Sequence, residues 1–304
     1  MAAPLFDAHC DSLTAPGALR RCETKQLDLE RLHAYRPAAQ IFAVWTQPEA
    51  ACPEFWHRTA ERFLEELSQP GCPARLCRSA QQARRAAADG QIAAFLSAEG
   101  AELVGCSMAG LRAAQKRGLR VLTLTWNRSN ALAGAAADGG GGLTAAGRIF
   151  VPQAQALGVA IDVSHGSERT FWDVLEVARR PVFASHSNAR ALADHVRNLT
   201  DAQFSALIRT GGCAGIALYP PFLGLGQDIP AVLAHMEHFL ALGGERAVCL
   251  GCDFDGMDGQ SARGISGVQD LERLYEAMLC RGWPERLAQD IFYNNLMSFM
   301  ERAL

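Results

Sequence analysis

Eight short apolar runs of strand-forming residues recur along the chain and alternate with longer stretches of helical periodicity. They are Leu5–His9, Gln40–Trp45, Ile92–Ser97, Val121–Trp126, Val159–Ser164, Pro181–Ser185, Cys213–Tyr219 and Ala247–Cys252. Between and after them the spacing predicts helices over Pro53–Ser68, Ser79–Ala88, Ser107–Arg117, Thr144–Leu157, Ser167–Arg179, Thr200–Thr210, Ile229–Leu242, Val268–Arg281 and Pro284–Arg302. Start signals support several of these: Ser167 and Thr200 as caps, and Pro284 just inside the last helix. Runs that are apolar on both faces, such as IAAFL and VLTLT, belong in a parallel sheet covered by helices. Eight such units predict an α/β fold closed into a (β/α)8 TIM barrel. A barrel of this kind takes about 250 residues and tolerates insertions. No linker divides the chain, so residues 1–304 are expected to form one catalytic barrel domain.

Composition narrows the partners. Lys and Arg number 29 against 32 Asp and Glu, a net charge of −3, which lacks the clustered positive excess that nucleic acid or an anionic membrane would require. A neutral or zwitterionic small molecule is expected instead. The ten cysteines are too dilute for a disulfide scaffold, no basic export signal opens the chain, and no apolar run is long enough to span a bilayer. A soluble protein in a reducing cytoplasm is the expectation.

Functional side chains of such barrels gather at the C-terminal ends of the strands. The first run leads into His9 and Asp11, the third into Glu99, the fifth into His165, the sixth into His186 and the eighth into Asp253. Imidazole and carboxylate ligands suit zinc or a similar divalent ion. His9 and Asp11, two apart on an extended segment, point the same way and can share one ion; His165 and His186, from adjacent strands, can hold a second. Glu99 could bridge the two at the separation of about 3.5–4 Å that two-metal hydrolases use.

Eight segments, FDAHCDSL, FLSAEGAELVG, RVLTLT, GLTAAGR, LGVAIDVSH, RPVFASHSNARAL, RNLTDAQ and LGCDFDG, in this order, resemble the membrane (renal) dipeptidase family of zinc peptidases, peptidase family M19. The likeness is to a soluble, bacterial-type member. It implies a (β/α)8 metal-dependent hydrolase with two Zn2+ per chain: His9 and Asp11 on one ion, His165 and His186 on the other, Glu99 between them. It further implies that Asp253 contacts a metal-bridging hydroxide as catalytic residue and that Arg197 binds the substrate. The activity implied is cleavage of dipeptides, with tolerance of a D-residue at the C-terminal position. A homodimer is a further implication. Arg197 would grip a terminal carboxylate through a two-pronged hydrogen bond.

One position departs from the renal pattern. Trp126 stands in LTLTWNRSN where the renal enzymes have a substrate-contacting histidine, and indole offers one donor and no titration near neutrality. Trp126 is expected to shape the pocket, with Asn127 or Asn130 giving a polar contact and Tyr219 lining the wall. Two other readings stay open on the residues: a related binuclear hydrolase of another amide, such as a β-lactam or N-acyl amino acid, and a barrel that binds metal and peptide with little turnover.

Several features are set aside. Lys25 and Lys116, the only lysines, lie away from strand ends, which disfavours a carboxylated-lysine bridge or a Schiff base. Cys249 and Cys252 read as buried thiols, Ser107 as a helix cap, and His235 with His238 as a partly packed helix face. Asp253, Asp255 and Asp258 imitate the start of a calcium loop, but Gly256 is misplaced and Gly264 occupies the position of the required glutamate. The run Gly139–Gly142 reads either as a mobile lid or as a flexible connector.

Overall fold

The computed structural model describes residues 2–304. Its strands are β1 (Leu5–Cys10), β2 (Ala38–Val44), β3 (Ala74–Leu76), β4 (Ile92–Glu99), β5 (Leu119–Thr123), β6 (Ala160–Asp162), β7 (Ala214–Ile216) and β8 (Val248–Leu250). All pairings are parallel, in the order β6, β5, β4, β2, β1, β8, β7, with β3 added to β4. β3 and β5 share one edge of β4, β3 against Ile92–Ala94 and β5 against Leu96–Glu99, so β3 fills the lower part of the wall. The sequence did not mark β3, whose three residues ARL carry no apolar run.

The sixth run completes the ring without forming a ladder. Phe183 bridges Asp162 of β6, and Ala184 bridges Ala214 of β7. Pro181 lacks a donor, and the Ser185 carbonyl turns inward against Gly215 and Gly251, where an added Cβ would come within 2.0 and 1.8 Å of it. Glycine is required at both positions to let three strands crowd together. The outcome is the predicted parallel barrel, closed at this sector by single bridges.

Strand alternation places residues 95, 97 and 99 on one side of β4. Beneath Glu99, an apolar layer joins Phe6, Ile41, Phe95, Val121 and Phe183 to Tyr293, Met297, Phe299 and Met300 of the C-terminal helical segment. The barrel is therefore packed below the site rather than hollow. That segment is interrupted: helix Glu285–Gln289 passes through a π turn at Asp290–Asn294 into helix Asn295–Ala303, and Pro284 precedes the first turn instead of lying within it. Thr200 forms a reciprocal capping box with Gln203, and Ser167 caps through the Thr170 amide, as their sequence positions predict.

The glycine run is not a slack connector but is tied down by hydrogen bonds. Ser167 Oγ donates to Gly141 O at 2.6 Å, Gly140 N donates to Ala135 O at 2.9 Å and Gly134 N to Gly142 O at 3.2 Å. A Cβ at Gly142 would strike the Asp173 carboxylate at 1.9 Å. Gly140 and Gly142 serve close packing, whereas Gly139 and Gly141 face open space. Among the described residues no helix is long and apolar enough to cross a membrane.

Candidate metal centre

The strand ends deliver the polar side chains to one rim. His9 lies near the end of β1, Asp11 just beyond it, and Glu99 is the last residue of β4. His165 and Asp253 each follow a strand by three residues and take left-handed backbone conformations, φ 65° and 62°, which aim side chains back over the barrel mouth. Asp255 and Asp258 are left-handed as well, at 66° and 51°. Such conformations are unfavourable for residues with a Cβ and collect where function demands them.

Glu99 is the hub. Its Oε1 lies 3.0 Å from His165 Nε2, 3.5 Å from His186 Nε2 and 3.6 Å from His9 Nε2. His9 Nε2 is also 3.7 Å from Asp11 Oδ1 and 3.8 Å from Asp253 Oδ1. His165 and His186 face each other, Nε2 to Nε2, at 2.9 Å.

The outer ring nitrogens fix the tautomers. His165 Nδ1 meets the Asn127 amide oxygen at 2.9 Å, an acceptor, so Nδ1 carries the proton and Nε2 the lone pair. His186 Nδ1 lies 2.7 Å from Ser185 Oγ, whose single proton goes to Asp162 Oδ2 at 2.6 Å. The hydroxyl must then accept from Nδ1, and His186 Nε2 is again a free lone pair. Asp162 is itself held by the amides of Ser164 and Ser185 and by the Thr123 hydroxyl.

Electrostatics agree. Burial, reinforced by the positive charges of Arg197 and His9, holds His165 and His186 well below the usual imidazole range, that is, neutral. Burial also works against charge on His9, but Glu99, Asp11 and Asp253 overcome it and raise it to about 10. Burial pushes Glu99 well above the carboxylate range and Asp253 up to about 7, with His9 opposing both.

Divalent metal fits this donor set. Among the described residues, His9 Nε2 and Asp11 Oδ1 are buried without a hydrogen-bond partner. Two groups, His9 with Glu99 and His186, and His9 with Asp11 and Asp253, each bring ligand atoms within 4.8 Å of one another. A cation would satisfy the orphaned atoms and offset three clustered carboxylates.

The centre opens into a cavity of about 450 Å3. Arg197 stands in its wall, buried, with its guanidinium carbon 5.4 Å from the centre of the Phe222 ring and with Nε and Nη2 lacking partners among the described residues. Burial lowers it to about 10 against the pull of Glu99, Asp253 and Asp162. The cavity is also lined by Trp126, Asn127 and Tyr219. Asn127 commits its oxygen to His165, whereas Asn130 turns away, donating to Leu124 O at 2.8 Å. Trp126 packs edge-on against Trp45 at 5.0 Å.

Trp45, His195 and Phe222 line the cavity too and were missed. Trp45 ends the second run and could have been found by the strand-end rule that found Glu99. His195 accepts from the Arg197 amide at 3.1 Å, a contact no spacing rule foretells. His235 is no ligand: it is buried, accepting from Ala189 N at 3.1 Å, and His238 pairs with Asp201 at 2.7 Å. Cys249 and Cys252 are buried, and Ser107 caps its helix through Gly110 N.

A closed parallel barrel with histidines and carboxylates on its C-terminal rim defines a metal-dependent hydrolase class of fold. The family model of membrane dipeptidase, peptidase family M19, matches residues 1–303, and the chain belongs to that family. It is 32% identical over 242 residues to an uncharacterized protein of Klebsiella pneumoniae from the region 5' of pqqA, covering 75% of this chain and 89% of that one. With an uncharacterized dipeptidase of Schizosaccharomyces pombe it shares 35% identity over 202 residues, 64% of this chain but 47% of that one, so it spans about half of that relative. A metallopeptidase from Rhodobacter sphaeroides, solved with a phosphinate mimic of the dipeptide L-Ala-D-Ala, superposes with a TM-score of 0.92 at 28% identity over all of both chains.

Proposed function

We propose that this chain hydrolyses dipeptides bearing a free C-terminal carboxylate, with zinc held by His9, Asp11, Glu99, His165 and His186, and that it accepts a D-residue at the C-terminal position. The observation that carries the reading is the pairing of lone-pair nitrogens around Glu99 with a buried, unpartnered Arg197 in the wall of the same cavity.

Zinc held there by His9, Asp11, Glu99, His165 and His186 would supply Lewis acidity, lowering the pKa of water toward neutrality and polarising a carbonyl. The remaining work falls to the chain. Arg197 donates its fork to the substrate carboxylate and fixes the scissile bond beside Glu99 and Asp253. Asp253 takes the proton from the attacking water and delivers it to the leaving amine, which departs as an amino acid. Trp126 and Trp45 form an apolar wall that limits water around the reacting atoms, and Asn127 keeps His165 in the tautomer with a free Nε2. The mimic bound by the Rhodobacter relative supports a D-residue at the carboxylate end.

The test is a panel of L-Ala-L-Ala, L-Ala-D-Ala, the C-terminal amide of L-Ala-L-Ala and a β-lactam, assayed with zinc-loaded and metal-stripped protein. Zinc-dependent release of alanine from both free dipeptides, with the amide poorly cleaved, is expected. No cleavage of any free dipeptide by the zinc-loaded protein refutes the reading.

A further inference from the structure

Asp255, the second carboxylate of the false calcium loop, and one of the two lysines meet at the edge of the metal centre, and neither is used by the chemistry above. Asp255 is two residues past Asp253 and its carboxylate points away from the cavity. It accepts from Ser12 Oγ at 2.5 Å, Gln26 N at 2.6 Å and Leu27 N at 3.4 Å, while its own amide donates to Gln26 Oε1 at 2.8 Å. Ser12 adjoins Asp11. The carbonyl of Ser12 in turn accepts from Lys25 Nζ at 2.6 Å, and Lys25 is 5% exposed. Burial lowers the Lys25 pKa against the attraction of Asp255 and Glu66, so the ammonium and the Asp255 carboxylate compensate each other.

Between Asp253 and Asp255 on one side and Asp11 with Ser12 on the other sits Gly256. A Cβ there would lie 2.2 Å from Asp11 Oδ2 and 2.6 Å from Asp253 Oδ1. The two carboxylates therefore approach each other through a gap that only glycine leaves open, and their mutual repulsion would widen it. Some restraint must hold the loop after β8 against the segment after β1. The backbone gives one bond on each flank, Asp11 N to Phe254 O at 2.8 Å and Asp253 N to His9 O at 3.2 Å. The only side chain that ties Ser12 to the loop after β8 by a direct hydrogen bond among the described residues is Asp255.

We propose that Asp255 is a positioning residue: by clasping Ser12 and the Gln26–Leu27 backbone it sets the separation of Asp11 from Asp253 and so the shape of the metal centre. Lys25 holds the other face of Ser12 through its bond to the Ser12 carbonyl. The inference rests on the metal-binding reading above.

Asp255→Asn, Ser12→Ala and their double variant test it, with zinc affinity measured by competition against a chromophoric chelator and with melting temperatures of the metal-stripped proteins. Asp255→Asn is expected to weaken zinc binding about 10- to 100-fold, the range for groups that orient ligands. Ser12→Ala should do the same to a smaller degree, and the double variant should lose no more than Asp255→Asn, since one bond joins the pair. Asp255→Glu, which keeps the charge, should recover part of the affinity. A lowered melting temperature with zinc affinity unchanged makes Asp255 merely structural and overturns the proposal, as do additive losses in the double variant. Failure of the unaltered protein to bind zinc refutes the metal-binding reading instead.

Discussion

The carboxylate of Asp162 lies 2.6 Å from the hydroxyl of Ser185, and that single contact decides which nitrogen of a neighbouring histidine carries a proton. Because Ser185 has one hydrogen and gives it to Asp162, the hydroxyl can only accept from His186 Nδ1. Ser185→Ala removes the acceptor and leaves Asp162 Oδ2 with Thr123 alone. Zinc affinity is expected to fall about 10- to 100-fold. Dye competition on the purified variant checks it; affinity equal to the parent protein would show that the tautomer needs no support from Ser185.

Arg197→Lys keeps a positive charge but replaces a planar fork with a point donor and loses the face packed on Phe222. For a dipeptide with a free carboxylate, kcat/KM is expected to drop about 10- to 100-fold, the worth of a charged hydrogen bond. For the C-terminal amide the change should be under about threefold, because no carboxylate is there to lose. Steady-state kinetics on the two substrates give the comparison; equal losses on both would place Arg197 outside carboxylate recognition.

Trp126→His restores the residue type of the renal pattern. Trp126 covers Trp45, whose indole nitrogen is buried without a partner, so the smaller ring would uncover that atom and widen the cavity. Dipeptide turnover is expected to stay within about tenfold of the parent or fall, with the apolar wall breached. A rise of several orders of magnitude, read in the same assay, would mean that the native pocket is impaired at this position.

Removal of metal should destabilise the fold as well as silence it. Glu99, Asp11 and Asp253 converge on His9 with Arg197 as the other nearby cation, and stripping zinc exposes their repulsion. Each ion bound at about 100 times its Kd contributes roughly 2.7 kcal/mol to the native state. Melting temperature should fall after dialysis against a chelator and recover on adding zinc back. An unchanged melting curve would contradict metal binding at this rim.

The barrel and the gathering of histidines and carboxylates at its rim could be read from the chain because both obey local rules. Strand runs are apolar over several residues, and side chains such as Glu99 and His186 directly follow them. What escaped depends on contacts between distant segments. β3 is too short and too polar to announce itself, and the sixth run is cut to single bridges by the crowding of Ser185 against Gly215 and Gly251. The run 139–142 is held more closely than free glycine would be, because Ser129 and Asp173 occupy the space that side chains at 140 and 142 would need. His195 reaches the cavity by the packing of a loop, which no periodicity encodes, whereas Trp45 directly follows β2 and was within reach of the strand-end rule.

The rim histidines and carboxylates lie at strand ends or within three residues of them, while His195, Pro221 and Phe222 of the cavity wall come from farther along the connections. Those connections are the part of a barrel most open to insertion and replacement. Reactivity and preference are thus inherited on separable stretches of one gene. Descendants of this chain could exchange the segments around 195 and 219–222 and acquire a different diet of amides, while the sites that hold the ions pass unaltered from one generation to the next.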